Sequence, residues 1–477
     1  MKNLNYSIVL LFFVLFQMNS YSQVGIGTTD PHISSVLEME STTQGVLTPR
    51  MTTLQRVAIA TPADGLLVFD IDESVFYFYN GTSWVPLEGA EKRDNYKLVK
   101  SVADLADELA AGGGAEYLLT TDFMYEINGQ ITLAAPINLN GAYLIGEDTN
   151  EDILVNSAGG TIFEGSTGGS IRGLTLTAPG GTVFNLSGSS GTERFVFRDC
   201  VVANSTSVGT ISSYGLVFVS IVQYVNNSAG ITFDDIHQLL LNSEGWASDN
   251  TGVYQSFTGD FDIIAKQGGF SKVVGATAAI DITGVSSLTS GNISNVNFYG
   301  GGNYINGTSP YIGYNFPKEW DVNSPGIPVE TDGVATGDIN FSANVGSGTS
   351  IAFTGTGIGS RKKISGTTVS NSLFRFAKDG SNKITYEGKK ARYFGITASL
   401  SFQGDSSNTI FIFYLAKNGN VIDQTKVYRE NGANNDVGAA AVVGTVELSE
   451  GDYVEVWAER YSGTGGLILV SLNLIAR

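Results

Sequence analysis

The chain has 477 residues, 42% of them hydrophobic, with 59 glycines against 10 prolines, 2 histidines and 1 cysteine. That length allows two to four domains with ample core, and many glycines with few prolines fit tight corners better than a disordered linker protein. A net charge of −19 argues against nucleic acid, whose phosphates need clustered Lys and Arg, and would be compatible with a divalent cation such as calcium; the scarcity of His and Cys excludes a zinc set and a disulfide framework.

In chain order, Lys2, the apolar run at 8–16, and Ser20 and Ser22 at small-residue positions read as a signal peptide over 1–22, cleaved before Gln23. The run is too short for a comfortable membrane span and no second candidate follows. The expected product is exported, either secreted or at the cell surface, with no membrane span.

Residues 23–90 form a small N-terminal head. LLVFDID and VFYFY flank Glu73-Ser74 as a β-hairpin, and Asn80-Gly81 marks a second turn. The pieces Val24-Gly25-Ile26-Gly27-Thr28-Thr29, Gly45-Val46-Leu47-Thr48-Pro49-Arg50-Met51, Gln55-Arg56-Val57 and Tyr79-Asn80-Gly81-Thr82-Ser83-Trp84 resemble a recurring N-terminal module of secreted bacterial surface proteins, related to modules that join tail-fibre segments. The resemblance implies attachment and display rather than chemistry.

Residues 91–114 read as a polar linker (91–100) and a capping helix. Ser101 is the N-cap with Asp104 three residues on, Val102, Leu105, Ala106 and Leu109 make one apolar stripe, and Gly112-Gly113-Gly114 ends it.

Residues 115–330 are expected to form a parallel β-helix. IRGLTL at 171, FVFRDCVV at 195, LVFVSIVQYV at 216, IHQLLL at 236, FDIIA at 261, AIDITGV at 279 and ISNVNFY at 293 are β-rich runs parted by Gly/Ser/Asn-rich corners. Their spacing, mostly about 20–25 residues, falls in the solenoid window, and no coil can bury its apolar side without stacking on the next. The entry through a helix and then strands resembles tailspike and pectate-lyase-like β-helices.

Residues 331–477 carry FRFAKDG, KITYEG, YFGITASLSF, TIFIFYLAKNG, AAVVGTVEL, YVEVWAERY and LILVSLNL, short strands between turn signals that imply an antiparallel sandwich. Leu415-Ala416-Lys417-Asn418-Gly419, Leu448-Ser449-Glu450-Gly451-Asp452-Tyr453-Val454 and the apolar last strand resemble the C1q/TNF-like jelly roll. That resemblance implies a homotrimer with the final strand near the threefold axis. The fold class is therefore all-β: a right-handed parallel β-helix, then an antiparallel jelly-roll sandwich, behind a small β-rich head.

Chemistry falls to the carboxylates, because His32 and His237 leave few places for a His-based site. Asp260 and Asp262 stand two apart on an expected strand, so they share a face at about 7 Å, a separation that suits a glycosidase acid/base pair. Asp234 and Asp235 point to opposite faces, and the FDD at 233 resembles the acidic motif of pectin-type hydrolases, although no Asn-Thr-Asp or Arg-His-Gly accompanies it. The alternative for each pair is a solvated, charged flank.

Arg172 and Arg198, one coil apart, would grip an acidic sugar or simply balance an acidic body. Tyr304, Tyr311, Tyr314 and Trp320, with Tyr299, Phe316, Asn303, Asn306 and Asn315 beside them, would hold sugar rings or plug the end of the solenoid. Cys200 reads as a buried small hydrophobe. No metal site and no cofactor emerges from these residues.

Three functions follow. The first is a trimeric fibre- or tailspike-like adhesin for glycans or another surface. The second is a polysaccharide depolymerase, hydrolase or lyase, acting from the solenoid flank. The third is a structural filament subunit. The poverty of catalytic residues favours the first.

Overall fold

A computed structural model describes residues 23–87, 93–275 and 277–477, and the chain divides into two compact units after Asp94. The expected signal peptide over 1–22 lies outside the described residues.

In the first unit Leu67–Asp70 and Val75–Tyr79 pair antiparallel around Ser74, whose φ is +59°. Trp84–Pro86 returns from the Asn80-Gly81 turn onto Val75–Tyr79. Asn80 shapes that turn by accepting the amides of Thr82 and Ser83 at 2.9 and 2.8 Å. Arg50–Met51 joins Leu67–Asp70 in parallel, and Val24–Ile26 pairs separately with Leu37–Met39. Its interior is slight: among the described residues Val68 and Tyr77 are the buried apolar side chains. A buried Arg56 lies 3.6 Å over the Tyr77 ring and pairs with Asp70 at 2.8 Å.

The second unit begins with a strand inside the stretch read as linker. Tyr96–Val99 pairs in parallel with Met124–Ile127 and is the first rung of the solenoid. Four residues suffice for one rung, and charged neighbours hid them. The backbone N–H and hydroxyl of Ser101 both donate to Asp104, at 2.8 and 3.2 Å, and start the 3₁₀ turn Val102–Leu105 that runs into the helix Ala106–Ala111. Leu105 and Leu109 seat this helix on the solenoid core.

Each coil contributes one strand to each of three parallel sheets, and the solenoid makes about nine turns. In the first sheet Ile145, Arg172, Arg198, Ser220, Asn242, Gln267, Ser294 and Asn323 stack as one column from coil to coil. The last rung of this sheet is Trp320–Asn323, paired with Ala278–Ser294. The coil shortens from 27 residues between Ile145 and Arg172 to 22 between Arg198 and Ser220, then lengthens to 29 between Ser294 and Asn323.

The residue after each of six members of that column, Arg172 to Ser294, turns the chain into the second sheet. Gly173, Asp199, Ile221, Ser243, Gly268 and Asn295 all hold φ between +53° and +70°. So tight a corner needs left-handed backbone, which Gly, Asn and Asp adopt readily. Ile221 is β-branched and pays no heed to that preference, at a cost of roughly 1–2 kcal/mol.

Inside, rings stack along the axis, as in Phe163–Phe184 at 5.7 Å and Phe233–Phe257 at 6.0 Å. Buried amides satisfy corner carbonyls: Asn227 donates to the carbonyl of Val202 and to Asn250, and Asn250 donates to the carbonyl of Tyr224.

The C-terminal part is two antiparallel sheets. One runs Val369–Phe374, Thr336–Ser342, Leu467–Ala476, Arg392–Gly404, Val437–Leu448; the other runs Phe376–Lys378, Lys383–Tyr386, Tyr453–Ser462, Thr409–Lys417, Asn420–Val421. The Asn418-Gly419 turn has φ of +52° and +73°, as a two-residue hairpin requires. The apolar last strand, Leu467–Ala476, is central in its sheet, between Thr336–Ser342 and Arg392–Gly404.

Candidate functional site

The foot of the solenoid is locked to the sandwich. Arg375, fully buried, donates to the carbonyls of Trp320 and Glu330 and lies 3.5 Å from Asp332. Lys390 pairs with Asp321 at 2.8 Å and Lys318 pairs with Glu450, both between solenoid and sandwich. Burial pushes the Glu330 carboxyl up, although the amides of Asn315 and Phe316 donate to it.

The expected aromatic cluster is found at this joint, with divided roles. Trp320 is buried against Phe316, centroids 5.2 Å apart, so its faces are taken by the core. Tyr304 packs on Phe298 and its hydroxyl accepts the Gly301 amide. Tyr314 stacks on Phe374 at 4.0 Å. The amides of Asn303, Asn306 and Asn315 are spent internally, on Asn306, Asp281 and Glu330.

Tyr311 is different, because it walls a groove. Its ring meets Phe374 edge-on at 5.4 Å and its hydroxyl donates to Glu387 at 3.0 Å. Burial, together with the Glu387 charge, pushes that hydroxyl well above the usual phenol range. The groove, 540 Å³, lies between Pro310-Tyr311-Ile312 of the last loop and the strands Val369–Phe374 and Phe376–Lys378. Tyr311, Ile312, Leu373 and Phe376 supply apolar surface, and Asn371, Ser372, Lys378 and Glu387 supply donors and acceptors. Apolar walls with polar edges match the faces and hydroxyl rims of sugar rings.

The carboxylates do not pair with one another. Asp260 and Asp262 are both exposed on Gln255–Lys272, with Phe261 buried between them, and the pairing with the next coil shifts register between Gly259 and Asp260. Asp260 accepts the Ser287 hydroxyl at 2.8 Å, whereas Asp262 meets His237 at 3.1 Å. Asp234 accepts the Thr258 hydroxyl, and Asp235, at φ +49°, accepts the Asp260 amide at 2.8 Å. All four serve corners and coil-to-coil contacts.

Arg172 and Arg198 do stack in register, as expected. Arg172, however, pairs with Asp199 at 3.1 Å, and the two line a 760 Å³ groove with Glu147 and Asp148. Cys200 is buried, its thiol donating to the Arg198 carbonyl, and burial pushes it up to about 12, which removes it as a nucleophile. Among the described residues no three Asp, Glu, His or Cys side chains converge as a metal set.

Sequence reasoning did not single out Glu387, Asn371, Lys378 or Ile312, which reach the groove from segments as far as 76 residues beyond Tyr311 or from an unpatterned loop. It likewise passed over Glu147 and Asp148. No local motif marks any of them.

Comparison with known proteins adds one assignment. Residues 25–101 match the family model described as the phage tail like trimerisation region. No curated protein matches the chain. Matching solved structures include the enzymatically active domain of tailspike protein 4 of bacteriophage CBA120, at 10% identity over 90% of this chain and 77% of that one, with a TM-score of 0.19; at that score no residue of one can be laid on a residue of the other. In chain order, a stretch that matches a phage tail like trimerisation region is followed by a three-sheet parallel solenoid and an antiparallel sandwich.

Proposed function

We propose that the protein is an exported, homotrimeric surface fibre that binds glycans at the foot of its shaft. The head assembles three chains, the solenoid is the shaft, and the C-terminal sandwich is a C1q/TNF-like jelly roll that forms one wall of the binding groove. The observation that carries this reading is the Tyr311 groove, where apolar and polar side chains together line an open cleft. Assembly by threes is supported by the match over 25–101 and by the apolar residues that the head leaves uncovered, Ile33, Leu47 and Leu54 among them.

The test is binding of the full-length protein to an array of surface polysaccharides. Asn371→Ala with Lys378→Ala is expected to weaken the best binder at least about tenfold, the equivalent of ~1.4 kcal/mol, with an unchanged circular dichroism spectrum. Undiminished binding by that variant would sink the assignment of this groove.

The second reading, a depolymerase, is favoured by the flank groove in which Arg172 and three carboxylates meet. It requires release of new chain ends from the bound polymer, abolished by Asp199→Asn. Release that persists in Asp199→Asn and stops in Asp260→Asn with Asp262→Asn would instead place the chemistry on the Asp260 flank.

A further inference from the structure

Within one coil, three buried side chains from three different sheets converge on a single carboxylate oxygen region. Glu244 projects from the second sheet, Gln255 from the third and Lys266 from the first. Oε2 of Glu244 accepts both the Lys266 ammonium and the Gln255 side-chain amide, each at 2.9 Å. None of the three is more than 1% exposed. Tyr224 donates to the other carboxylate oxygen at 3.3 Å, and the Tyr254 ring lies 5.1 Å from the Lys266 ammonium, stacked in turn on Trp246 at 4.5 Å.

One buried atom here lacks a hydrogen-bond partner, Oε1 of Gln255. A buried ion pair is a poor source of stability, since its desolvation offsets its attraction, and an orphaned amide oxygen adds to that deficit. The arrangement is instead that of an amine, a carboxamide and a bridging carboxylate shut away from water.

We propose that Lys266 and Gln255 form an intramolecular isopeptide bond, with Glu244 as the proton carrier. Glu244 takes one proton from the Lys266 ammonium. The freed amine attacks the side-chain carbonyl carbon of Gln255, giving a tetrahedral adduct. Glu244 passes its proton to the departing nitrogen and takes one from the attacking nitrogen. The carbon–Nε2 bond of Gln255 breaks, ammonia leaves, and a neutral Glu244 carboxyl remains beside the new amide. No external reagent is needed, and the buried ion pair is gone. The bond ties the first sheet to the third inside a solenoid that has no disulfide to brace it.

The test is peptide mass analysis of the purified full-length protein. The expected result is no tryptic cleavage after Lys266 and a peptide running from Asp199 to Lys272 that is lighter than its sequence by one ammonia. Glu244→Gln and Lys266→Met are each expected to restore the full mass, and Glu244→Gln to restore cleavage after Lys266; both are expected to lower the melting temperature. Complete cleavage after Lys266 with no mass deficit in the natural protein overturns the proposal, whether or not the variants fold. A deficit that survives in Lys266→Met overturns it equally, and one that survives in Glu244→Gln overturns the role of Glu244.

Discussion

In the head, Ile33, Val36, Val46, Leu47, Leu54 and Val57 are between 57% and 89% exposed, whereas in the solenoid Ile171, Leu176, Phe184 and Val202 are wholly buried. The two regions are built from similar apolar runs, so composition does not explain the contrast. A solenoid coil is covered by the next coil of its own chain. The head has no successor of its own kind, and its apolar side chains stay exposed. Burial in this protein is therefore supplied within the chain in one region and, on the trimeric reading, between chains in the other.

The comparison breaks most directly in the head. Ile33→Asp with Leu47→Asp is expected to shift the mass seen by light scattering from three chains towards one, with the β-sheet signal retained. A trimer that survives both changes would move assembly to the solenoid or the sandwich.

In the solenoid the same logic predicts a loss of stability without a loss of assembly. Phe184 touches the rings of Phe163, Phe195 and Phe197, so Phe184→Ala is expected to cost about 3–5 kcal/mol, read from denaturant unfolding. A cost below about 1 kcal/mol would mean that the coils do not depend on this stack.

A smaller effect of opposite sign is expected at the corner column. Ile221 is more than half exposed and left-handed, so Ile221→Asn gives up little burial and relieves backbone strain. Unfolding should require about 1 kcal/mol more, and a loss instead would show that the Ile221 side chain packs against a partner.

The smallest effect is a pH dependence in the sandwich. Burial pushes the Asp452 carboxyl up, but hydrogen bonds from Lys417 at 2.8 Å, Asn418 at 2.7 Å and the Ser449 amide bring it down to about 2. A folded-state value below the ordinary ~3.9 contributes stability that is full above pH ~4 and is lost as pH falls through about 2. Asp452→Asn should flatten that part of an acid-unfolding curve, and an unchanged curve would remove Asp452 from the account.

Much of the fold was legible because repetition is local. Runs such as FVFRDCVV and LVFVSIVQYV announce strands, and their spacing announces stacking; the structure places them as Arg194–Ala203 and Leu216–Val225, paired in register. The Glu73-Ser74 and Asn418-Gly419 turns were equally plain, because a left-handed residue at a tight turn leaves its mark on the sequence. Tyr96–Val99 was hidden because one short rung between charged residues has no periodicity to show.

The candidate site was legible only in part. Tyr311 lay in a recognisable aromatic cluster, but nothing in the sequence separates it from Trp320, and only packing assigns one to a groove wall and the other to the core. Asp260 and Asp262 shared a face on an ideal strand, yet their partners, Ser287 and His237, come from neighbouring coils on opposite sides.

By itself, then, the sequence determined the all-β class, the stacked coils and the terminal sandwich, since periodicity and turn chemistry act over a few residues. Which side chains meet was decided by the tertiary structure. Glu387 reaches Tyr311 only because the sandwich packs on the foot of the solenoid, and Gln255 and Lys266 reach Glu244 only because coil length and corner geometry bring them to one level of the shaft; no local pattern encodes either coincidence.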